Sequence, residues 1–328
     1  SIKCFTKSSI GESNPSNASS ITPYFKPDVP TIVSVTLASA TSLSIKVNAP
    51  TDTGGGTIDT YKCIAQSGSE QSEQINTVSA GTTDVVIAEL VAGSKYSVVC
   101  SVENNGEWSV NTAESPNHWV GSVPSTPTFV SNTPTVGDTS VTIRITPITN
   151  ALPAITSYEC VVTSAGPDQD EVKSSVDGDT SDVVFEMNPG DTDTDDHLQK
   201  GATFTFKCVA INQLGRSSDS SETMSITPVV KPGAPAVVRA NIERPSTSSF
   251  SIPIAPTSDG GGTISKFECT ATSVSNAGDT VTVEASTSPL IISGLTPGSS
   301  YTLACRAKNE KGYGAITSIT EGIYAGSL

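Results

Sequence analysis

The stretch Gly54-Gly-Gly-Thr-Ile-Asp-Thr-Tyr61-Lys-Cys63 returns as Gly260-Gly-Gly-Thr-Ile-Ser-Lys-Phe267-Glu-Cys269. A worn copy, Leu152-Pro-Ala-Ile155-Thr-Ser-Tyr158-Glu-Cys160, stands between them. Each copy is followed by a second cysteine four residues after an aromatic: Tyr96 and Cys100, Phe204 and Cys208, Tyr301 and Cys305. Counted from Cys4, these second cysteines step by 96, 108 and 97 residues. A period of that size, with one insertion, is a repeat of whole domains and not of a solenoid unit, and each domain is long enough to bury a core of its own.

The hydrophobic pattern inside each repeat has period two. Leu43, Ile45 and Val47 alternate with Ser44 and Lys46; Val141, Ile143 and Ile145 with Thr142 and Arg144; Phe250, Ile252 and Ile254 with Ser251 and Pro253. A further strand recurs at Asp84-Val-Val-Ile87, Asp182-Val-Val-Phe185 and Pro289-Leu-Ile-Ile292. Such alternation marks strands with one buried face, and turn residues at short intervals between them predict an all-β sandwich in each repeat. No segment carries a helical stripe. At the start, Cys4-Phe-Thr-Lys-Ser-Ser-Ile-Gly11 parallels Cys208-Val-Ala-Ile-Asn-Gln-Leu-Gly215, and Ile21-Thr-Pro23 parallels Ile226-Thr-Pro228. Residues 1–28 therefore read as the last strands of a preceding repeat, with any partner of Cys4 upstream of Ser1. The three full repeats read as 29–124, 125–233 with an acidic insertion, and 234–328.

The bulk composition narrows the function. Apolar residues make up 35% of the 328, charged residues 16%, and the net charge is −15. Such acidity argues against nucleic acid, whose phosphates require a basic face. Ser and Thr make up roughly a quarter of the chain, well above ordinary usage. No run is long and apolar enough to span a bilayer, so no membrane insertion is expected within the segment, and any anchor would lie outside it. The charge is uneven: 9 acids against 3 bases (−6) over 29–124, 15 against 6 (−9) over 125–233, and 7 against 6 (−1) over 234–328.

Leu295-Thr-Pro-Gly298-Ser-Ser-Tyr301 followed by Ala307-Lys-Asn309-Glu-Lys-Gly312-Tyr-Gly314 resembles the sixth strand and following loop of a fibronectin type III domain. Leu90-Val-Ala-Gly93-Ser-Lys-Tyr96 with Asn104-Asn-Gly106 repeats it, and Pro30-Thr-Ile-Val33, Pro127-Thr-Phe-Val130 and Pro235-Ala-Val-Val238 fit the opening strand. The resemblance covers residues 29–328 and implies tandem immunoglobulin-like β-sandwiches. Three departures stand out. Val47, Ile145 and Ile254 occupy the place of the family's second-strand Trp. Phe204 replaces the corner tyrosine of the second repeat. Pro253 interrupts a strand and should cost a ladder bond there. In the family the third and sixth strands are antiparallel neighbours, which implies the pairs Cys63–Cys100, Cys160–Cys208 and Cys269–Cys305, within disulfide reach. Buried free thiols are the alternative. Zinc fits less well, because neither CxxC nor paired His occurs. Disulfides imply an extracellular or cell-surface, secreted chain, and Asn17-Ala-Ser19 is an N-glycosylation candidate in such a compartment.

Other candidates are weaker. The triglycines could suggest a phosphate loop, but such a loop needs a helix after it and here a strand follows, so they read as turns joining the two sheets. Asp191, Asp193 and Asp195 could present oxygens to Ca²⁺ at positions 1, 3 and 5 of a loop. The calcium loop's Gly and Glu positions are Asp196 and Ala202, however, so a solvated acidic loop is the reading. His118 and His197 are the only histidines, and neither sits in a triad-like segment; no catalysis and no cofactor are expected. Trp108 either packs along its own sandwich edge or stacks on a sugar or a partner. The short apolar joints carry Tyr24, Phe25, Trp119, Val229 and Tyr324, read as inter-domain or assembly contacts that wedge between sandwiches. The expected function is structural: a segment of a long extracellular or surface repeat protein, forming a stalk or filament. Its partners would be copies of itself or neighbouring repeats, with glycans a possible addition. An adhesion or receptor ectodomain binding through its loops, and spacer modules of a polysaccharide-degrading enzyme, are the alternative readings.

Overall fold

The computed structural model describes residues 1–68, 73–79, 81, 84–164, 172–187, 198–223 and 225–326. The protein is all-β; apart from the 3-10 turn Arg239–Asn241, the described residues hold no helix. The chain divides into two compact units. One comprises Ser1–Ser125 with Ile148–Ile155 and Ile211–Arg216; the other comprises Thr126–Pro147, Thr156–Ala210 and Ser217–Leu328. The first unit thus takes in two loops of the second sequence repeat.

In the first unit, Thr31–Ser39, Ser42–Asn48 and Asp84–Ile87 form one antiparallel sheet in that order. Gln74–Ser79, Thr60–Gln66, Lys95–Asn104 and His118–Trp119 form the other, with Glu107–Trp108 turning back onto Lys95–Asn104. The period-two residues explain the layering: Leu43, Ile45 and Val47 from one sheet and Tyr61, Cys63, Tyr96, Val98, Cys100 and Val102 from the other share one buried cluster. Burying such side chains is worth about 1.5–3 kcal/mol each.

The second repeat follows the same plan. Ser140–Thr146 pairs with Thr128–Phe129, Thr135–Val136 and Asp182–Glu186. The companion sheet runs Lys173–Asp177, Ser157–Ser164, Phe204–Asn212, Gly215–Arg216. In the third repeat the long sheet is Thr280–Ala285, Lys266–Ser273, Ser300–Asn309, Gly312–Tyr324. Pro253 divides the opposite layer's strand into Ser249–Ile252 and Ile254–Ala255. The first piece pairs with Glu243–Ser246 and Leu290–Ser293, the second with Ala236–Val237. Proline brings no N–H to the ladder; just past it, the Ile254 N–H donates to Ser288 Oγ at 3.0 Å. Val47, Ile145 and Ile254 are all buried where the family carries Trp, and in the second repeat Phe185 and Phe206 pack with ring centroids 5.0 Å apart.

Candidate functional site: the joints between repeats

Each joint is a crossing of two backbones. At the first, the Phe25 N–H donates to the Gly54 carbonyl at 2.8 Å; at the third, Val230 N–H donates to Gly260 at 2.8 Å; at the second, Ser122 N–H donates to Leu152 at 3.0 Å. The chains approach so closely that a Cβ on Gly54 would overlap the Phe25 carbonyl oxygen, and one on Gly260 the Val230 oxygen. Both glycines also have positive φ, +75° and +71°, which L side chains resist. This adds to the reading of the triglycines as turns between sheets. The loop does join two sheets, but its first glycine is needed because a linker lies against it.

An asparagine closes each crossing. Asn309 is buried, and its Nδ2 donates to the Val230 carbonyl at 2.7 Å and the Asp259 carbonyl at 2.9 Å, while its Oδ1 accepts the Lys311 N–H at 2.9 Å. Asn212 does the same at the second joint, donating to Ser122 at 2.8 Å and Pro153 at 3.1 Å and accepting from Leu214 at 2.9 Å. Asn104 is buried and donates to the Thr53 carbonyl at the first. One amide therefore ties a linker or loop carbonyl to the hairpin that follows the sixth strand. A buried amide is held in place when its donors and acceptor are satisfied, and leaving them unsatisfied is costly. On the other side, the turn before the sixth strand secures the chain leaving each sandwich: Gly93 N–H donates to Val120 O at 2.7 Å, Gly201 to Pro228 at 2.9 Å, and Gly298 to Ala325 at 2.6 Å.

The bulky residues named from the sequence differ in their surroundings. Phe25 and Tyr324 are 66% and 65% exposed, and Tyr24 is also exposed, its ring edge beside Gly56. Trp119 pairs with Lys95 along its own sheet, the ammonium 4.7 Å from the indole centroid. Val229 is buried, against Gly262. Backbone bonds and an asparagine hold these crossings, and at the first and third of them Tyr24 and Val229 pack against the third loop glycine. Among the cations of the third repeat, Arg306 bonds Glu268 at 2.7 Å, Lys308 lies 4.9 Å from the Tyr313 ring, and Arg239 donates to the Gly322 carbonyl at 3.0 Å.

Cys63 and Cys100, Cys160 and Cys208, and Cys269 and Cys305 are joined as disulfides, with Cα atoms 4.2, 4.0 and 4.1 Å apart. Register sets the first and third pairs directly opposite each other on adjacent strands. Behind the second cysteine lies a feature that composition did not disclose. Ser109, Thr112 and Ser115 each donate a backbone N–H to the sixth strand, at Val102, Cys100 and Val98. Their hydroxyl oxygens accept the N–H groups of those same three residues at 3.1, 3.1 and 2.9 Å. Ser217, Ser220 and Thr223 do likewise against Ala210, Cys208 and Phe206, and Ser13 and Ser16 against Thr6 and Cys4. Three residues of the last segment thus answer two of the strand, a run of successive bulges stitched by hydroxyls. The third repeat has Gly314 at the first of these offsets and forms the continuous strand Gly312–Tyr324 instead, with two register shifts against Ser300–Asn309. Ser220→Ala should cost about 1–3 kcal/mol by leaving the Cys208 N–H without a partner. Exposed Ser218→Ala should stay within about 0.5 kcal/mol; urea denaturation of the two variants checks this.

In the first repeat a three-stranded sheet faces a five-stranded one, and the Tyr96 hydroxyl accepts the Val91 N–H at 3.0 Å. Tyr301 accepts from Thr296 at 2.9 Å in the same way, while Phe204 has no hydroxyl to offer. The repeats have the fibronectin type III fold. Two solved structures are similar to the chain. The FN1-FN3 domains of chicken CNTN1 are 14% identical, covering 93% of this chain and 100% of that one with a TM-score of 0.30. A two fibronectin type-III domain segment from chicken tenascin is 17% identical, covering 61% of this chain and 99% of that one with a TM-score of 0.36. No protein-family model matches the chain. No curated protein matches it.

The remaining candidates sit on or around these fibronectin type III sandwiches. Trp108 lies under the Lys62 ammonium, 4.3 Å from the ring centroid, so it packs on its own sheet. His118 pairs with Tyr96, and burial pushes its imidazole below the ordinary range. Asn17 is exposed beside the ladder residue Ser16, and Cys4 is an exposed free thiol. Asp191, Asp193, Asp195 and His197 lie outside the described residues; among those described, no group of three or more His, Cys, Asp or Glu could hold a metal. The solvated-loop reading of the aspartates predicts a second-repeat melting temperature unchanged by excess EDTA. A drop of several degrees reversed by calcium would show a metal site. Among the described residues no helix is long and apolar enough to cross a membrane.

Proposed function

We propose that this chain is a structural segment of an extracellular or cell-surface repeat protein, a spacer whose repeats are held by bonded joints and not by free tethers. The observation that carries the reading is the recurrence, three times, of a linker N–H bonded to a loop carbonyl, with a buried asparagine at each crossing. A flexible Gly/Ser linker would make no such bonds. Disulfides buried in each of the three sandwiches support an oxidising compartment. Its partners are neighbouring repeats or copies of itself, and no catalytic role is proposed.

Limited proteolysis with a broad-specificity protease tests the joints. Residues 22–27, 119–124 and 227–232 should resist cleavage under native conditions, and early cleavage there would favour an array of independent modules. Antibody labelling of intact against permeabilised source cells tests the compartment; signal only after permeabilisation would contradict it.

A further inference from the structure

Where two backbones cross this closely, only one of them can carry a Cβ, and the chain meets that constraint in two opposite ways. At the first and third joints the loop supplies the glycine and the linker carries side chains, Tyr24-Phe25 and Val229-Val230. Those linker side chains also use the room left by the third loop glycine. A Cβ on Gly56 would come within 2.9 Å of Tyr24 Cε1, and one on Gly262 within 2.7 Å of Val229 Cγ1. At the second joint the arrangement is inverted. The loop there is one residue shorter and carries Leu152-Pro153, while the glycine has moved to the linker as Gly121. A Cβ on Gly121 would overlap the Leu152 carbonyl oxygen and lie 2.7 Å from Pro153 Cδ. The Leu152 side chain instead fills the space toward the preceding turn, its Cδ2 3.0 Å from where Gly93 would carry a Cβ. The hydrogen bond across the joint is nonetheless the same in all three.

We propose that the side on which the glycine stands is a matching rule that determines which linker can precede which repeat. A linker with side chains at the crossing requires a triglycine loop. The Leu152-Pro153 loop requires a glycine linker. The first and third repeats are therefore interchangeable behind the linkers at 22–27 and 227–232, and the second repeat can follow only the linker at 119–124. This deepens the proposed function and rests on its bonded joints.

The test uses residues 1–328 and reads amide hydrogen exchange at the three linker donors. Gly121→Val should speed exchange at the Ser122 amide roughly 10–100-fold, the scale of forcing one strained crossing, and leave Phe25 and Val230 unchanged. Replacing residues 151–154 of that variant by the sequence of 259–262, Asp-Gly-Gly-Gly, should restore Ser122 protection. Ser122 remaining protected in Gly121→Val, or a folded graft that fails to restore it, would overturn the rule. Should the graft not fold, Gly260→Leu supplies the reciprocal reading: the Val230 amide should be released, and a protected Val230 overturns the rule equally. Free exchange at Phe25, Ser122 and Val230 in the unaltered chain would count instead against the bonded joints themselves.

Discussion

Replacing both Cys269 and Cys305 with alanine is expected to lower the melting temperature of the third sandwich by about 12–30 °C. The bond closes a loop with a sequence separation of 36, which by chain entropy is worth about 3–4 kcal/mol. Each kcal/mol moves the midpoint of a domain this size by about 4–8 °C. Both sulfurs belong to the buried cluster that includes Phe250, Phe267 and Tyr301, so truncation also opens a cavity, which adds to the loss. The position without the family's tryptophan, Ile254, lies in the same cluster, and a core lacking that large side chain depends more on its crosslink. Scanning calorimetry of the double variant, and of the parent chain under reductant, checks this. A shift of only a few degrees in both would mean that packing alone carries the sandwich.

The second large effect is expected at Asn309. Asn309→Ala removes two donated bonds and one accepted bond from a buried site. Each buried group left unsatisfied costs about 1–3 kcal/mol, and because the three share one site the sum is not additive; a total of about 2–5 kcal/mol is expected. Asn309→Asp separates the roles. The carboxylate can still accept the Lys311 N–H but presents oxygens to the Val230 and Asp259 carbonyls, so it should be at least as damaging as alanine. The exposed neighbour Glu310→Ala should change stability by less than about 0.5 kcal/mol. Chemical denaturation of the three variants, followed by a probe in the third repeat, gives the comparison.

The fold was legible because its signals are periodic and repeated. Leu43, Ile45 and Val47 alternate as a half-buried strand must, and the aromatic-cysteine pairs recur in register. The joints were only half legible. Their position is visible from Pro and apolar residues, and bulky side chains such as Tyr24, Phe25 and Tyr324 are conspicuous there. The bonds are made by main chain and by Asn104, Asn212 and Asn309, which look in the sequence like ordinary turn residues. The change from Gly54 and Gly260 to Leu152 read as wear; without the linker's location, nothing connects it to Gly121. The hydroxyl ladder went unread for a different reason. Ser109, Thr112 and Ser115 have a spacing of three, which matches neither the strand period of two nor the helical 3.6, so they dissolved into a Ser/Thr-rich background. A signal was present nonetheless. Serine or threonine stands at the same three offsets after Cys4, Cys100 and Cys208, and Gly314 breaks the set after Cys305.

The bonded joints are the centre of this account, and amide hydrogen exchange of residues 1–328 tests them most directly. The Phe25, Ser122 and Val230 N–H groups each have a carbonyl partner within 3.0 Å, so they should exchange as slowly as the amides of the strands they adjoin. Exchange at the rates of an unstructured peptide at these three positions, with the strand amides still protected, would contradict it.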